Sequence, residues 1–170
     1  AEKISKIGTQ PIIGTQINFK FEDTIGLLPL YALNEKGYKR IIELSSLSFL
    51  KNDELSDPHL KFEELLESTE GVAIFSGTVN GFFGRLFDKG KYLEINELYS
   101  KLKLKYKDRF YIEIQRHGDS NEIYFERFNL GKSLDHNIPL IATNEVFYIN
   151  KDMHEAHDAL LCIKNKTYVN

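Results

Sequence analysis

The stretch from Pro139 to Ile163 concentrates the side chains best suited to chemistry. An apolar, β-prone run, Pro139-Leu140-Ile141-Ala142-Thr143, stops at the polar pair Asn144-Glu145, and a helical pattern carrying two histidines follows. A buried strand that delivers a carboxylate to its C-terminal end is how barrels and open α/β sheets place active-site groups. Inside the helix, His154-Glu155-Ala156-His157-Asp158 invites a metalloprotease reading. That reading fails, because zincins need two histidines at i and i+4 with Glu after the first, and these stand at i and i+3. Nothing else in the chain completes a site around the pair. The segment is better read as a helix start, with Asp152 as N-cap and Glu155 three residues later.

Other candidate chemistry is weaker. Gly81-Phe82-Phe83-Gly84 lacks the Gly-Lys-Ser/Thr ending of a phosphate cradle. Lys101, Lys103, Lys105 and Lys107 alternate with Leu102, Leu104 and Tyr106, a pattern that fits solvated lysines better than a nucleic-acid patch. The single Cys162 lies in the apolar run Ala159 to Ile163 and reads as a small buried hydrophobe in a reducing compartment. A formal net charge of −3 gives no electrostatic footprint for nucleic acid. With no signal peptide, transmembrane run or low-complexity segment in the sequence, the expectation is a cytoplasmic protein without a membrane partner.

The elements that must position these groups alternate. Ile12 to Phe19 and Leu27 to Leu33 read as strands, and Tyr38, Ile41, Ile42, Leu44 and Leu47 suit an amphipathic helix. Phe62, Leu65 and Leu66 mark a short helix, and Val72 to Phe75 is a third strand. Phe82 to Lys105 reads as helix with a break near Gly90 and a face at Leu93, Ile95, Leu98, Leu102 and Leu104. Phe110 to Ile114 is a fourth strand, Asn121 to Leu134 a helix, and Leu140 to Thr143 a fifth strand. Strands alternating with helices predict a single α/β domain over residues 1–170 with parallel pairing and right-handed crossovers.

Several phrases carry a family likeness. Pro11-Ile12-Ile13-Gly14-Thr15-Gln16 is similar to a strand written P-x-IGCE, and Leu28 to Tyr38 to the phrase LLLAKNEEGY. Gly71 to Gly77 is similar to a strand ending in SAC or SGC, and Tyr111 to Gly118 to YIELQ-x-HG. Ala142 to Ile163 is similar to ATND-x-H-Y followed by EAHD-x-LLCI. In this order they resemble the PHP (polymerase and histidinol phosphatase) domain of the α subunit of bacterial DNA polymerase III. The resemblance implies a distorted seven-stranded (β/α) barrel, of which this chain supplies the later five strands and their helices, with the N-terminal part of the domain missing upstream of Ala1.

The resemblance also implies a cluster of divalent metal ions (Zn, Mn or Mg) and phosphoester hydrolysis in active members. Against that pattern, Gln16 stands where a ligand Glu is expected and Phe147 where a ligand His is expected. A neutral amide is a poor replacement for a carboxylate on a transition metal, and a phenyl ring cannot coordinate. Glu145 occupies an Asp position, His117 matches a family His, and Thr78 falls where a Cys often stands. His117 and Glu145 alone do not make a zinc site, which takes three or four protein ligands. These positions are therefore expected to be vestigial, with no bound metal and no cofactor. Two functions remain open. One is a non-catalytic scaffold inside a bacterial replicative polymerase, contacting the rest of the α subunit and the proofreading exonuclease subunit, with only weak DNA binding of its own. The other is a metal-dependent phosphoesterase or 3′–5′ exonuclease. Gln16 and Phe147 favour the first.

Overall fold

The computed structural model describes residues 2–52 and 56–168. A short helix α1 (Glu2–Lys6) precedes β1 (Ile13–Phe21) and β2 (Thr24–Ala32). Helix α2 (Glu35–Leu50), β3 (Leu60–Lys61), α3 (Phe62–Leu65) and β4 (Val72–Phe75) follow. Then come α4 (Phe82–Asp88), α5 (Tyr92–Tyr106), β5 (Phe110–Ile114), α6 (Ser120–His136), β6 (Leu140–Ala142) and α7 (His154–Asn165). The strands form one six-stranded sheet in the order β3-β1-β2-β4-β5-β6.

The expectation of parallel pairing holds for only part of this sheet. β4, β5 and β6 pair in parallel, as does β3 with β1, whereas β1–β2 and β2–β4 are antiparallel. The reason is chain length. Phe21 pairs with Thr24, so only Glu22 and Asp23 join the first two strands, while a parallel crossover needs a dozen or more residues. Charge pins this turn to the α4–α5 junction. Lys91 Nζ reaches Glu22 Oε2 and Asp23 Oδ1, each at 2.7 Å, and Arg85 Nη1 donates to the Ile25 carbonyl at 2.7 Å. The sixth strand, β3, is too short to show as a period-2 pattern.

Helices pack on one face of the sheet. Phe19, Leu28, Leu30, Ile74, Phe110 and Ile112 are fully or almost fully buried and join a single cluster with the inward residues of α2 to α6. In α5 the buried line is Ile95, Leu98, Tyr99, Leu102 and Tyr106, spaced for one helical face. Leu93 and Leu104, expected on that face, are 84% and 76% exposed. Each lies two residues from a buried position, which rotates it well away from the core. The α2 N-terminus is capped by the Asn34 side chain, which accepts from the Gly37 amide at 3.0 Å, and abuts Gly71 in the turn before β4. A Cβ at Gly37 would stand 1.8 Å from the Gly71 carbonyl oxygen, so only glycine fits.

At the C-terminal end the expected Asp152 cap is not made. Residues 151–153 form a 3₁₀ turn, and Met153 occupies the N-cap position of α7 without a side-chain bond. Asp152 lies inside that turn, one residue before the N-cap position. Cys162 is half-buried rather than buried, because no residue of α7 is buried.

Candidate functional site

The face of the sheet opposite the helices carries the polar residues. In β1 the alternation that buries Ile17 and Phe19 turns Gln16 to this side, directly across from Pro29 of β2. β4 ends at Ser76-Gly77-Thr78; Gly77 has φ +80°, a left-handed conformation that suits glycine and bends the chain towards α4. The chain leaving β6 brings Glu145 back over the same spot. Gln16, Leu27, Pro29, Gly77, Thr78, Asn80, Gly81 and Glu145 together line a cleft of about 90 Å³.

Three of the positions singled out in the sequence, Gln16, Thr78 and Glu145, thus line one cleft; His117 stands outside its lining but near enough for the Glu145 charge to act on its ring, and Phe147 packs elsewhere. The imidazole of His117 is held by Asn144 Oδ1 at 2.8 Å on Nε2 and by Glu122 Oε1 at 3.2 Å on Nδ1. Oxygen acceptors on both ring nitrogens, Asn144 first and then the Glu122 carboxylate, favour the imidazolium and raise the His117 pKa. Glu122 also accepts from the His117 backbone amide at 2.8 Å, so this histidine is a fixed part of the β5–α6 turn. Phe147 packs its ring on His157, with centroids 5.1 Å apart. The cleft offers one carboxylate, two carboxamides and a hydroxyl beside the alkyl walls of Leu27 and Pro29. Among the described residues no three His, Cys, Asp or Glu side chains gather where one ion could bind them. This donor set does not fit a zinc centre.

One functional candidate escaped the sequence reading. Glu113 of β5 points to the same side as the cleft and is only 6% exposed. Its Oε1 is bonded by the Thr143 hydroxyl and by Gln115 Nε2 at 3.2 Å, while Oε2 has no partner. The Ser76 hydroxyl accepts from the Glu113 amide at 2.9 Å, tying β4 to β5 beneath Gly77. Burial pushes the Glu113 carboxyl pKa up; the Thr143 and Gln115 bonds work against this and the Glu145 charge adds to it. The available signal was an acid in an apolar strand, Tyr111-Ile112-Glu113-Ile114. Alternation alone places it opposite the core face, and burial there is visible only in three dimensions.

A family profile described as the PHP domain matches residues 1–117. The chain belongs to the PHP domain family. Its six-stranded sheet with helices on one face is a partial PHP-type (β/α) barrel. The chain is similar to DNA polymerase III subunit alpha of Caulobacter vibrioides, 35% identical over 95% of this chain and 15% of that protein. It is also similar to the same subunit from Rickettsia felis, 38% identical over 93% of the chain and 13% of that protein. The Vibrio cholerae subunit is 31% identical over 92% and 14%. This PHP chain therefore spans about one-seventh of the length of these curated relatives. Among the described residues no helix is long and apolar enough to cross a membrane.

Proposed function

We propose that this PHP domain is a segment of a bacterial replicative DNA polymerase α subunit and serves there as a non-catalytic scaffold with a degenerate metal site. The observation that carries this reading is the cleft. Gln16, Leu27, Thr78, Asn80 and Glu145 converge in it with a single carboxylate among them, while His117 and Phe147 are committed to other contacts. Clustered ions accelerate phosphoryl transfer by holding attacking and leaving oxygens together, which takes several anionic or imidazole ligands. A partly apolar pocket with a single carboxylate supports no such cluster.

The partners of this reading are the rest of the α subunit and the proofreading exonuclease subunit, in a cytoplasmic setting. DNA is a weak ligand at most, since the chain is net acidic and phosphate neutralisation dominates non-specific affinity. The competing reading, a phosphoesterase or 3′–5′ exonuclease, makes the opposite prediction. A 3′-labelled oligonucleotide and a chromogenic phosphodiester, incubated with Mn²⁺, Mg²⁺ or Zn²⁺, are expected to show no turnover above buffer. Turnover abolished by Glu145→Gln would replace the scaffold with the hydrolase.

A further inference from the structure

Asn80-Gly81 is the one Asn-Gly pair in the sequence. It stands where the chain turns out of β4 into α4, with Gly81 in the N-cap position. Asn80 is exposed and lines the cleft with Gln16, Thr78 and Glu145. Among the described residues no hydrogen bond holds its carboxamide. Asparagine followed by glycine is the pair best able to react with itself. The backbone nitrogen of the second residue closes on the side-chain carbonyl carbon of the first and forms a five-membered imide. A side chain on the second residue obstructs that approach, and glycine has none.

We propose that Asn80 is a self-modification site, converted in the folded chain to an aspartate that joins Glu145 in the cleft. The Gly81 nitrogen bonds to Asn80 Cγ, the Cγ–Nδ2 bond breaks, and the Gly81 amide proton leaves with Nδ2 as ammonia. Water is the co-reactant of the second step. It opens the imide, supplying the hydroxyl of the new carboxyl and returning a proton to the Gly81 nitrogen. Opening at Cγ gives aspartate, and opening at the main-chain carbonyl gives isoaspartate.

The local structure acts on this reaction in both directions. The Gly81 nitrogen must lose its proton to attack, and charge drawn from the Asn80 carbonyl eases that loss. Arg85 Nε donates to the Asn80 carbonyl at 3.2 Å, and Arg85 Nη1, bonded to the Ile25 carbonyl at 2.7 Å, holds the guanidinium in place. Against this, the Gly81 amide donates to the Thr78 carbonyl at 2.9 Å. That turn bond has to open, which is a local event rather than unfolding. One such bond slows the folded chain by at most about tenfold relative to the unfolded chain. The fold also favours one product. A Cβ at Gly81 would stand 3.1 Å from the Leu27 carbonyl oxygen and 3.2 Å from the Thr78 backbone. The turn therefore has little slack for the extra main-chain atom of isoaspartate, and aspartate is the form that keeps α4 seated. The cleft lining then holds two carboxylates in place of one.

Timed peptide mapping of the full chain by mass spectrometry tests the proposal. In the folded chain at mildly alkaline pH, the peptide containing Asn80 gains the mass of one amide-to-acid exchange, and ammonia release follows the same time course. Asn80→Asp supplies the chromatographic standard for the product. Asn80→Gln, whose longer side chain has to close a six-membered ring, stays unmodified at this position. The same chain in urea gives the rate without structure, and a folded rate within about tenfold of that reference is expected. A slower folded rate would route the reaction through global unfolding and overturn the proposal. So would isoaspartate as the main product of the folded chain.

Discussion

Substituting Glu113 by Gln isolates the least comfortable group in the domain. Glu113 is 6% exposed, and its Oε2 has no hydrogen-bond partner. Its folded pKa is raised, first by burial. A carboxyl with a raised folded pKa contributes stability that is fully present below its unfolded pKa, near 4.3, and that is lost as pH rises through the folded value. In that window the unfolded chain releases a proton that the folded chain still holds. The slope for one proton is at most about 1.4 kcal/mol per pH unit. The total is set by the orphan oxygen. An unsatisfied buried polar atom costs about 1–3 kcal/mol, and a charged one more. Gln carries no titrating proton, so wild type minus Glu113→Gln cancels the acids that do not interact with Glu113 and leaves the Glu113 titration together with its coupling to Glu145. The unpaired Gln amide adds only a constant offset. Urea unfolding at fixed ionic strength from pH 4 to pH 8 should show wild type losing about 1–3 kcal/mol relative to Glu113→Gln. Thr143→Val, which removes a hydroxyl bonded to Oε1, should enlarge that loss. A difference that is flat with pH, or that favours wild type as pH rises, would refute the account of Glu113.

Two further outcomes are expected. Gly37→Ala sets a Cβ 1.8 Å from the Gly71 carbonyl oxygen and should cost the upper part of the roughly 1–3 kcal/mol typical of overpacking; at about 2–4 °C per kcal/mol, a thermal melt unchanged within a degree would show that α2 shifts freely. DNA affinity by mobility shift at physiological salt should be no tighter than about 10⁻⁴ to 10⁻⁶ M, and nanomolar binding would move the function towards direct handling of the template.

Much of the fold could be read from the chain because its strands are short apolar runs bounded by turn residues. Val72–Phe75 and Phe110–Ile114 coincide with the expected strands, and the break at Gly90 separates α4 from α5. Pairing direction was misread at the hairpin, since hydrophobic periodicity marks a strand and not its partner, and only the brevity of Glu22-Asp23 carried that information. Leu93 and Leu104 show the limit of counting leucines: the aromatic residues Tyr99 and Tyr106 hold the positions they were expected to share. At the site, Gln16, Thr78 and Glu145 were legible through the family likeness. Leu27 was not, because an apolar residue among ligands carries no chemical signature of its own. Glu113 stayed hidden because its importance lies in burial and an unmet oxygen.

The degenerate cleft is tested most directly by metal binding. Titrating the chelator-treated chain with Zn²⁺ and Mn²⁺ in a calorimeter, with metal content after gel filtration as the second readout, should give no stoichiometric binding. Its melting temperature should be the same with and without EDTA, because a metal bound only by the folded chain would raise it. Retention of one or more equivalents of metal, lost in Glu145→Gln and accompanied by a melting temperature that falls several degrees in EDTA, would contradict the account.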